Sequence, residues 1–211
     1  MLWGLDSGGN PVYADTPFTS NMAAWPFGAD ETVYESGNRR ETGPAFLNRA
    51  VADGFPVPSG WRARLRSVHD APLYDRLTMI NGLLNGISFV PDKHGEWKHP
   101  RVFLALGGDC DCAAVSKYVL SREMGVAARD IRIVGLAIRG RTQLHAVTVV
   151  RSGPGKFQVF VLDTLSDGVR SALYADEYTP LVSMNENGVW LHDDRGIIVA
   201  PVFADPVILE P

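Results

Sequence analysis

The sequence is poor in cysteine, in long apolar runs and in excess charge of either sign. Cys110 and Cys112 are its only cysteines, and a pair this close in the chain cannot close a disulfide without strained geometry. No second Cys or His pair stands at the spacing of a structural zinc site, which leaves catalysis or plain burial to explain the two thiols. The formal net charge of -4 offers no surface for a polyanion. We therefore expect no disulfide framework and no nucleic-acid partner.

Hydrophobic residues make up 45% of the chain, but no stretch approaches the roughly 18 consecutive apolar residues of a transmembrane helix. The first residues, MLWGLDSGGNPVYADTPF, contain no basic segment followed by an apolar one, and no signal peptide is visible in the chain. A chain of 211 residues buries enough apolar surface to fold as one domain without covalent crosslinks. We expect a globular domain without membrane insertion.

The order of sequence patterns predicts an α+β fold. Residues 1–45 are rich in Gly, Pro, Asn, Asp and Thr and show no sustained period, which indicates an irregular N-terminal arm before a domain over 46–211. Apolar residues at helical spacing predict one helix that runs from Pro44 and ends at Gly54, and another over 73–84. A polar loop is expected over 92–100.

The most informative helix is predicted to start at Cys110, with Asp109 as its N-cap and Gly125 as its stop. After it the period changes to that of β-strands. Segments rich in β-branched and aromatic residues predict successive antiparallel strands over 131–138, 144–150 and 157–163, and shorter ones over 189–191 and 197–203. One long helix packed on an antiparallel sheet is the expected arrangement.

Cys110, His145 and Asp163 form a candidate catalytic triad. The first turn of a helix stabilises a thiolate at Cys110, while His145 and Asp163 lie on neighbouring predicted strands and can meet across the sheet. A base near the thiol and a carboxylate on the far ring nitrogen are what acyl transfer through cysteine requires. The alternatives are a buried small side chain, a strand histidine and a turn aspartate, respectively.

Residues 107–126, GGDCDCAAVSKYVLSREMGV, resemble the nucleophile helix of the bacterial transglutaminase-like cysteine proteinases, in which the pattern is G-D-C-E-D-x-A-x-x-K. Further motifs agree in the same order over 73–192. They are Asn81 and Asn85 as N-x-x-x-N, EWKHP at 96–100, LHAV at 144–147, VLDTL at 161–165 and SMNENGVWLH at 183–192.

The resemblance implies a papain-like or transglutaminase-like core with Cys110, His145 and Asp163 as the triad. It also implies a calcium-dependent periplasmic cysteine endopeptidase that cleaves a large cell-surface adhesin, disperses biofilm and is held by an inner-membrane regulatory receptor. Two alternatives remain open. The same triad could pass the acyl group to an amine, as in a transglutaminase, or act as an amidase. The chain could also be a catalytically silent protein-binding module of the same fold.

The sequence departs from the family pattern beside the nucleophile, where Cys112 replaces an aspartate. Asp109 and Asp111 remain as candidate calcium ligands, although calcium prefers about six to eight hard oxygen ligands and a thiol supplies none. The two aspartates can equally be an N-cap and a first-turn acid, and both oppose a thiolate. Cys112 itself can be a buried helix residue, a redox-sensitive neighbour or a soft metal ligand.

Two further groups complete the candidate site. The backbone N–H of Cys110 is the natural oxyanion donor, because it needs no reorganisation as charge develops. Trp97, by its place in the EWKHP segment, is a candidate to line the pocket, and ordinary aromatic packing is its alternative.

Overall fold

Helices precede the main sheet along the chain, as expected for an α+β fold. The computed structural model describes residues 4–5, 11–12, 32–34, 39–91, 97–152, 158–171, 177–192 and 198–203. Its helices are α1 (Gly43–Asp53), α2 (Ser59–Ser67), α3 (Leu73–Asn85), α4 (Pro100–Leu106) and α5 (Cys110–Glu123). The strands are β1 (Gly4–Leu5), β2 (Pro11–Val12), β3 (Thr32–Tyr34), β4 (Arg39–Glu41), β5 (Ile131–Ile138), β6 (Leu144–Arg151), β7 (Val159–Leu162), β8 (Arg170–Ser171), β9 (Tyr178–Asn185), β10 (Gly188–His192) and β11 (Ile198–Phe203).

The main sheet has seven strands in the order β11-β10-β9-β5-β6-β7-β8, and all its neighbours are antiparallel. The sheet confirms the predicted α+β class and the successive strands β5, β6 and β7. Strand β9 was not predicted, because Pro180 interrupts its pattern and cannot donate to a ladder. It is accommodated at a register shift, where Pro180 lies opposite Leu136 while Val182 lies opposite Gly135.

Helix α5 is the centre of the fold. Residues 111–121 are all buried, because β6 packs on one side of the helix and α1, α3 and α4 surround the rest. Small side chains at Ala113 and Ala114 allow close approach to the sheet, and Thr148 Oγ1 on β6 donates a hydrogen bond of 2.7 Å to Ala114 O. A helix buried on all sides has no polar face, which explains why its apolar residues do not form a single narrow stripe.

A pair of glycines sets the position at which α5 begins. Gly107 has a φ of 73°, and a Cβ there would lie 2.4 Å from Ser88 O. A Cβ on Gly108 would lie 2.7 Å from Cys112 Cβ. Because neither glycine has a side chain, the backbone of Ser88 and Val90 can pair with Gly108. Gly108 N donates to Ser88 O at 3.3 Å, and Val90 N donates to Gly108 O at 2.9 Å. The pairing fixes the entry into α5.

Two helices differ from the sequence prediction. Helix α2 buries only Leu65 among mostly polar residues and therefore carries almost no apolar period. Helix α4 follows the expected loop over 92–100, of which 92–96 lie outside the described residues. It begins at Pro100 in the first helical position, with His99 Nδ1 accepting from Arg101 N at 3.3 Å.

Most of the predicted arm over 1–45 lies outside the described residues. Its described parts include the two short antiparallel pairs β1–β2 and β3–β4. Helix α1 begins at Gly43, and Thr42 Oγ1 accepts a hydrogen bond of 3.4 Å from Ala45 N as its cap. The division between arm and domain stays a prediction. In the described part of the chain, no helix has the length and apolar character needed to cross a membrane.

Candidate active site

The fold brings the three candidate triad residues to one end of the sheet. Cys110 is the first residue of α5, His145 is the second residue of β6, and Asp163 directly follows β7. Antiparallel pairing of β6 with β7 places His145 Nε2 2.6 Å from Asp163 Oδ1, with His145 6% and Asp163 0% exposed. Cys110 and His145 line the same cleft, whose volume is about 590 Å³.

Asp163 is held as a buried, ionised carboxylate. Its Oδ1 also accepts from Leu165 N at 2.9 Å, and its Oδ2 accepts from the hydroxyl of Tyr178. Burial alone would raise the pKa of Asp163. The hydrogen bond and charge of His145, together with the Leu165 and Tyr178 hydrogen bonds, outweigh burial and lower the pKa to about 2. An ionised carboxylate only accepts hydrogen bonds, so His145 Nε2 carries the proton that they share.

The turn after Asp163 is tied to α3 by two asparagines. Asn85 Nδ2 donates to Asp163 O at 3.0 Å and to Ser166 O at 2.8 Å, and Asn81 Nδ2 donates to Ser166 O at 3.0 Å. Residues four apart lie on the same face of a helix, so both side chains reach the same turn. The N-x-x-x-N motif noted in the sequence therefore has a structural role, because it fixes the backbone that carries the candidate triad carboxylate.

The thiol of Cys110 contacts the start of β6. Burial raises the pKa of Cys110 to about 12, the backbone N–H of Ala146 opposes this by a hydrogen bond to the sulfur, and the charges of Asp111 and Asp109 add to the rise. These contributions oppose the thiolate that the helix N-terminus is expected to stabilise. Desolvation and two carboxylates together exceed the stabilisation, about 0.3–1 kcal/mol, that a helix N-terminus gives an anion. These causes favour the thiol form of Cys110, so a nucleophilic role for it would call for a base.

His145 is placed to be that base. Its Nε2 is engaged by Asp163, which leaves Nδ1 as the ring nitrogen for a second partner. Ala146, which follows His145 in the chain, holds the Cys110 sulfur through its backbone N–H. The imidazole and the thiol are therefore neighbours at the wall of one cleft, and the buried carboxylate lies on the far side of the ring.

Asp109, Asp111 and Cys112 form a cluster beside the thiol. One potential ligand atom from each of them lies within 4.8 Å of the others. Asp109 occupies the predicted N-cap position, but its side chain makes no capping hydrogen bond and its buried Oδ1 has no hydrogen-bond partner in the described structure. An orphaned carboxylate oxygen fits a cation. Two carboxylates and one thiol supply only part of the oxygen shell that calcium prefers.

Trp97 lies in the core and not in the cleft, which corrects its predicted position. The side chain is completely buried, and its ring meets Phe46 of α1 edge-on with centroids 5.7 Å apart. Aromatic packing satisfies its large apolar surface there. The apolar side chains that do line the cleft come from several elements and include Phe89, Phe103, Ile138, Leu144 and Leu165.

Three residues near the candidate triad were not identified from the sequence. Tyr178 binds Asp163 from β9, and Arg170 Nη1 donates to the Tyr178 hydroxyl at 3.2 Å. Lys117 is completely buried two turns after Cys110, and its Nζ has no hydrogen-bond partner within the described residues. Burial lowers the pKa of Lys117 to about 7, while the charge of Asp163 opposes that shift. The signal for Lys117 in the sequence was its place at the lysine of the G-D-C-E-D-x-A-x-x-K pattern.

The arrangement is an α+β fold in which a helix N-terminus faces the ends of two antiparallel strands. No protein-family model and no curated protein matches the chain. Solved structures do resemble it. Calcium-bound LapG of Legionella pneumophila shares 23% identity over 70% of this chain and 87% of that chain, with a TM-score of 0.58. EGTA-treated LapG of the same organism shares 23% sequence identity over 74% of this chain and 88% of that chain, with a TM-score of 0.55. The likeness confirms the predicted fold.

Proposed function

We propose that this protein is a cysteine endopeptidase with Cys110 as nucleophile, His145 as general base and acid, and Asp163 as the residue that orients the histidine. The observation that carries the proposal is the 2.6 Å hydrogen bond between His145 and a buried Asp163 at the wall of the cleft that Cys110 lines. The motif resemblance to the bacterial transglutaminase-like cysteine proteinases supports the same assignment.

The reaction follows from the protonated resting state of Cys110. As the sulfur attacks the scissile carbonyl carbon, the thiol proton passes to His145 Nδ1, and the backbone N–H of Cys110 stabilises the oxyanion. His145 then gives this proton to the departing amine, which leaves a thioester on Cys110. Water attacks the thioester with His145 again taking a proton, and the acid product and the thiol are released.

Asp163 acts through His145. Its buried charge stabilises the imidazolium that forms in each step and fixes the tautomer whose Nδ1 can accept a proton. The carboxylate stays ionised throughout, because its pKa of about 2 is far below neutral pH. Neutralising it would therefore slow acylation without removing the substrate-binding cleft.

We further propose Asp109 and Asp111 as ligands of calcium. The orphaned Oδ1 of Asp109 and the fold shared with calcium-bound LapG support this assignment. A bound cation would offset the two carboxylate charges that raise the pKa of the Cys110 thiol. Cys112 supplies a soft sulfur where the family pattern has a carboxylate, so we expect weaker calcium affinity than a third aspartate would give.

The substrate and the surroundings of the enzyme follow from the motif resemblance alone. We propose a protein substrate of the large surface-adhesin class, a periplasmic location and an inner-membrane receptor as regulator. A cleft of about 590 Å³ that is lined by both apolar and polar side chains is compatible with a protein substrate.

A peptide library tests the proposal and separates its alternatives. The protein is incubated with a proteome-derived peptide library and a primary amine donor, with and without calcium, and products are read by mass spectrometry. New termini that depend on Cys110 support an endopeptidase, whereas mass gain at Gln indicates amine transfer. Cys110→Ala should abolish cleavage. Ser121→Ala should preserve it, because it removes a buried hydroxyl of α5 that has no hydrogen-bond partner among the described residues. Equal inertness of wild type and Cys110→Ala would favour a silent binding module.

A further inference from the structure

The carboxylate of Asp163 is held from both of its oxygens. We propose that Tyr178 is a positioning residue for the reaction, which with Arg170 behind it holds Asp163 Oδ2 so that Oδ1 stays directed at His145. The inference deepens the proposed function and rests on it for its kinetic consequences. The hydrogen-bond geometry itself does not depend on that function.

A carboxylate bonded through one oxygen can still turn about its terminal bond, because that torsion is broad. In this protein Oδ1 accepts from His145 Nε2 at 2.6 Å and from Leu165 N at 2.9 Å. The Tyr178 hydroxyl donates to Oδ2 from the opposite side. Three donors on two oxygens leave the carboxylate a single orientation, and that orientation sets the plane of the imidazole.

Arg170 strengthens the grip of Tyr178. Its Nη1 donates to the Tyr178 hydroxyl oxygen at 3.2 Å, and its guanidinium lies 5.4 Å from the centre of the tyrosine ring. Glu177 anchors the guanidinium at 2.6 Å through Nη2. A hydroxyl that accepts a hydrogen bond from a cation becomes a stronger hydrogen-bond donor, because successive hydrogen bonds polarise one another. Arg170 therefore donates to Tyr178, and Tyr178 donates to Asp163 Oδ2, while His145 donates to Asp163 Oδ1.

The scaffold holds the tyrosine ring in place. Tyr178 is the first residue of β9 and pairs in register with Ile138 of β5. Its ring is 7% exposed and belongs to a small apolar cluster on the sheet with Val134, Leu136, Ile138, Val147 and Val161. A side chain locked by packing can fix another group to within a fraction of an ångström, as a supporting residue of an active site must.

Tyr178→Phe tests the proposal, and Tyr118→Phe is its matched control. Both remove the hydroxyl of a buried tyrosine that donates to a carboxylate, but Tyr118 lies on α5 and binds Glu186 Oε1, at 3.2 Å, in the turn between β9 and β10. On a peptide found cleaved in the library experiment, Tyr178→Phe should lower kcat by about 10-fold to 100-fold and leave KM within about two-fold. Tyr118→Phe should leave both parameters within about two-fold of wild type.

A spectroscopic measurement keeps the positioning claim separate from the peptidase claim. The proton on His145 Nε2 should give a far-downfield resonance because its bond to the carboxylate is short and charge-assisted. Tyr178→Phe should shift or broaden this resonance, and Tyr118→Phe should leave it unchanged. If no peptide is cleaved even by wild type, the proposed function fails and the resonance alone decides whether Tyr178 positions Asp163.

Arg170→Met provides a second variant if Tyr178→Phe does not fold. Arg170 is partly buried, with its side chain 30% exposed, and an unbranched methionine can keep the packing of its stem, so its replacement should leave the fold intact. The expected result is a fall in kcat of about three-fold to ten-fold at unchanged KM. The proposal would be overturned if Tyr178→Phe left both kcat and the His145 resonance unchanged. If Tyr178→Phe does not fold, the same result in Arg170→Met would overturn it.

Discussion

Lys117→Met should make the protein more stable at neutral pH. Lys117 is completely buried in α5, and its Nζ finds no hydrogen-bond partner among the described residues. Methionine has a similar unbranched shape, and α5 offers it apolar neighbours such as Leu120. Replacing the buried ammonium by an apolar chain therefore removes a desolvation penalty and keeps most of the packing.

The magnitude follows from the pKa. The ordinary lysine pKa of 10.5 and the folded value of about 7 differ by about 3.5. Because each pKa unit corresponds to about 1.4 kcal/mol, burial of Lys117 lowers the free energy of unfolding by about 4 kcal/mol at pH 7. Between pH 7 and 10.5 the unfolded chain binds more protons than the folded one, so this penalty shrinks as pH rises and disappears above pH 10.5.

Urea unfolding of wild type and Lys117→Met at pH 7, 8.5 and 10 measures this difference. Other groups that titrate over this range affect both proteins alike and cancel when the two free energies are subtracted. We expect the variant to be more stable by several kcal/mol at pH 7 and by about 1 kcal/mol at pH 10. A difference that is the same at all three pH values, or a variant less stable at pH 7, would refute the reasoning.

Three further predictions concern the site and its support. Asp163→Asn should lower kcat/KM by about a thousand-fold. The variant should also lose about 2 kcal/mol of folding stability. Wild type has this stability above pH 3.8 and loses it as pH falls through about 2. Peptide cleavage measures the first effect, and urea unfolding at pH 7 and pH 2 measures the second. Cys112→Asp should tighten calcium binding by about ten-fold or more in calorimetric titration, and unchanged affinity would argue against the proposed ligands. Gly107→Ala should lower the free energy of unfolding by about 2 kcal/mol or more, because φ is 73° and the new Cβ would meet Ser88 O at 2.4 Å; a thermal midpoint equal to that of wild type would contradict this.

Strands with a clear period could be predicted from the sequence, and those that depend on irregular pairing could not. Strand β5 has the predicted bounds, and β6 matches its prediction to within one residue, because both are rich in β-branched residues between clear turn signals. Strand β9 contains Pro180, and only the register shift opposite Leu136 makes room for it. That shift depends on pairing with a distant strand, which local sequence does not encode.

The residues of the candidate site could likewise be predicted only in part. Motif order was enough to select Cys110, His145 and Asp163, and the pairing of β6 with β7 explains why His145 and Asp163 meet. Tyr178 lies fifteen positions after Asp163 in the chain and reaches it only through the folded sheet. Trp97 was placed in the cleft by its motif alone, but its volume is better satisfied beside Phe46 in the core.

The protonation of Cys110 shows where a local electrostatic argument is too small. The position at a helix N-terminus was correctly predicted and favours an anion by about 0.3–1 kcal/mol. Burial of the sulfur, together with Asp109 and Asp111, raises its pKa to about 12 instead. In the proposed mechanism the thiol therefore needs His145 as a base, and we expect the histidine to be as necessary as the thiol.

The most direct test of the account is the capture of the thioester on Cys110. Wild type is mixed with a cleavable peptide, quenched in acid within its first turnovers, digested and analysed by mass spectrometry. We expect the acyl half of the peptide on Cys110, none on Cys112, and no adduct in His145→Ala. Peptide cleavage by wild type without an adduct on Cys110, together with undiminished cleavage by Cys110→Ala, would contradict the assignment of Cys110 as the nucleophile.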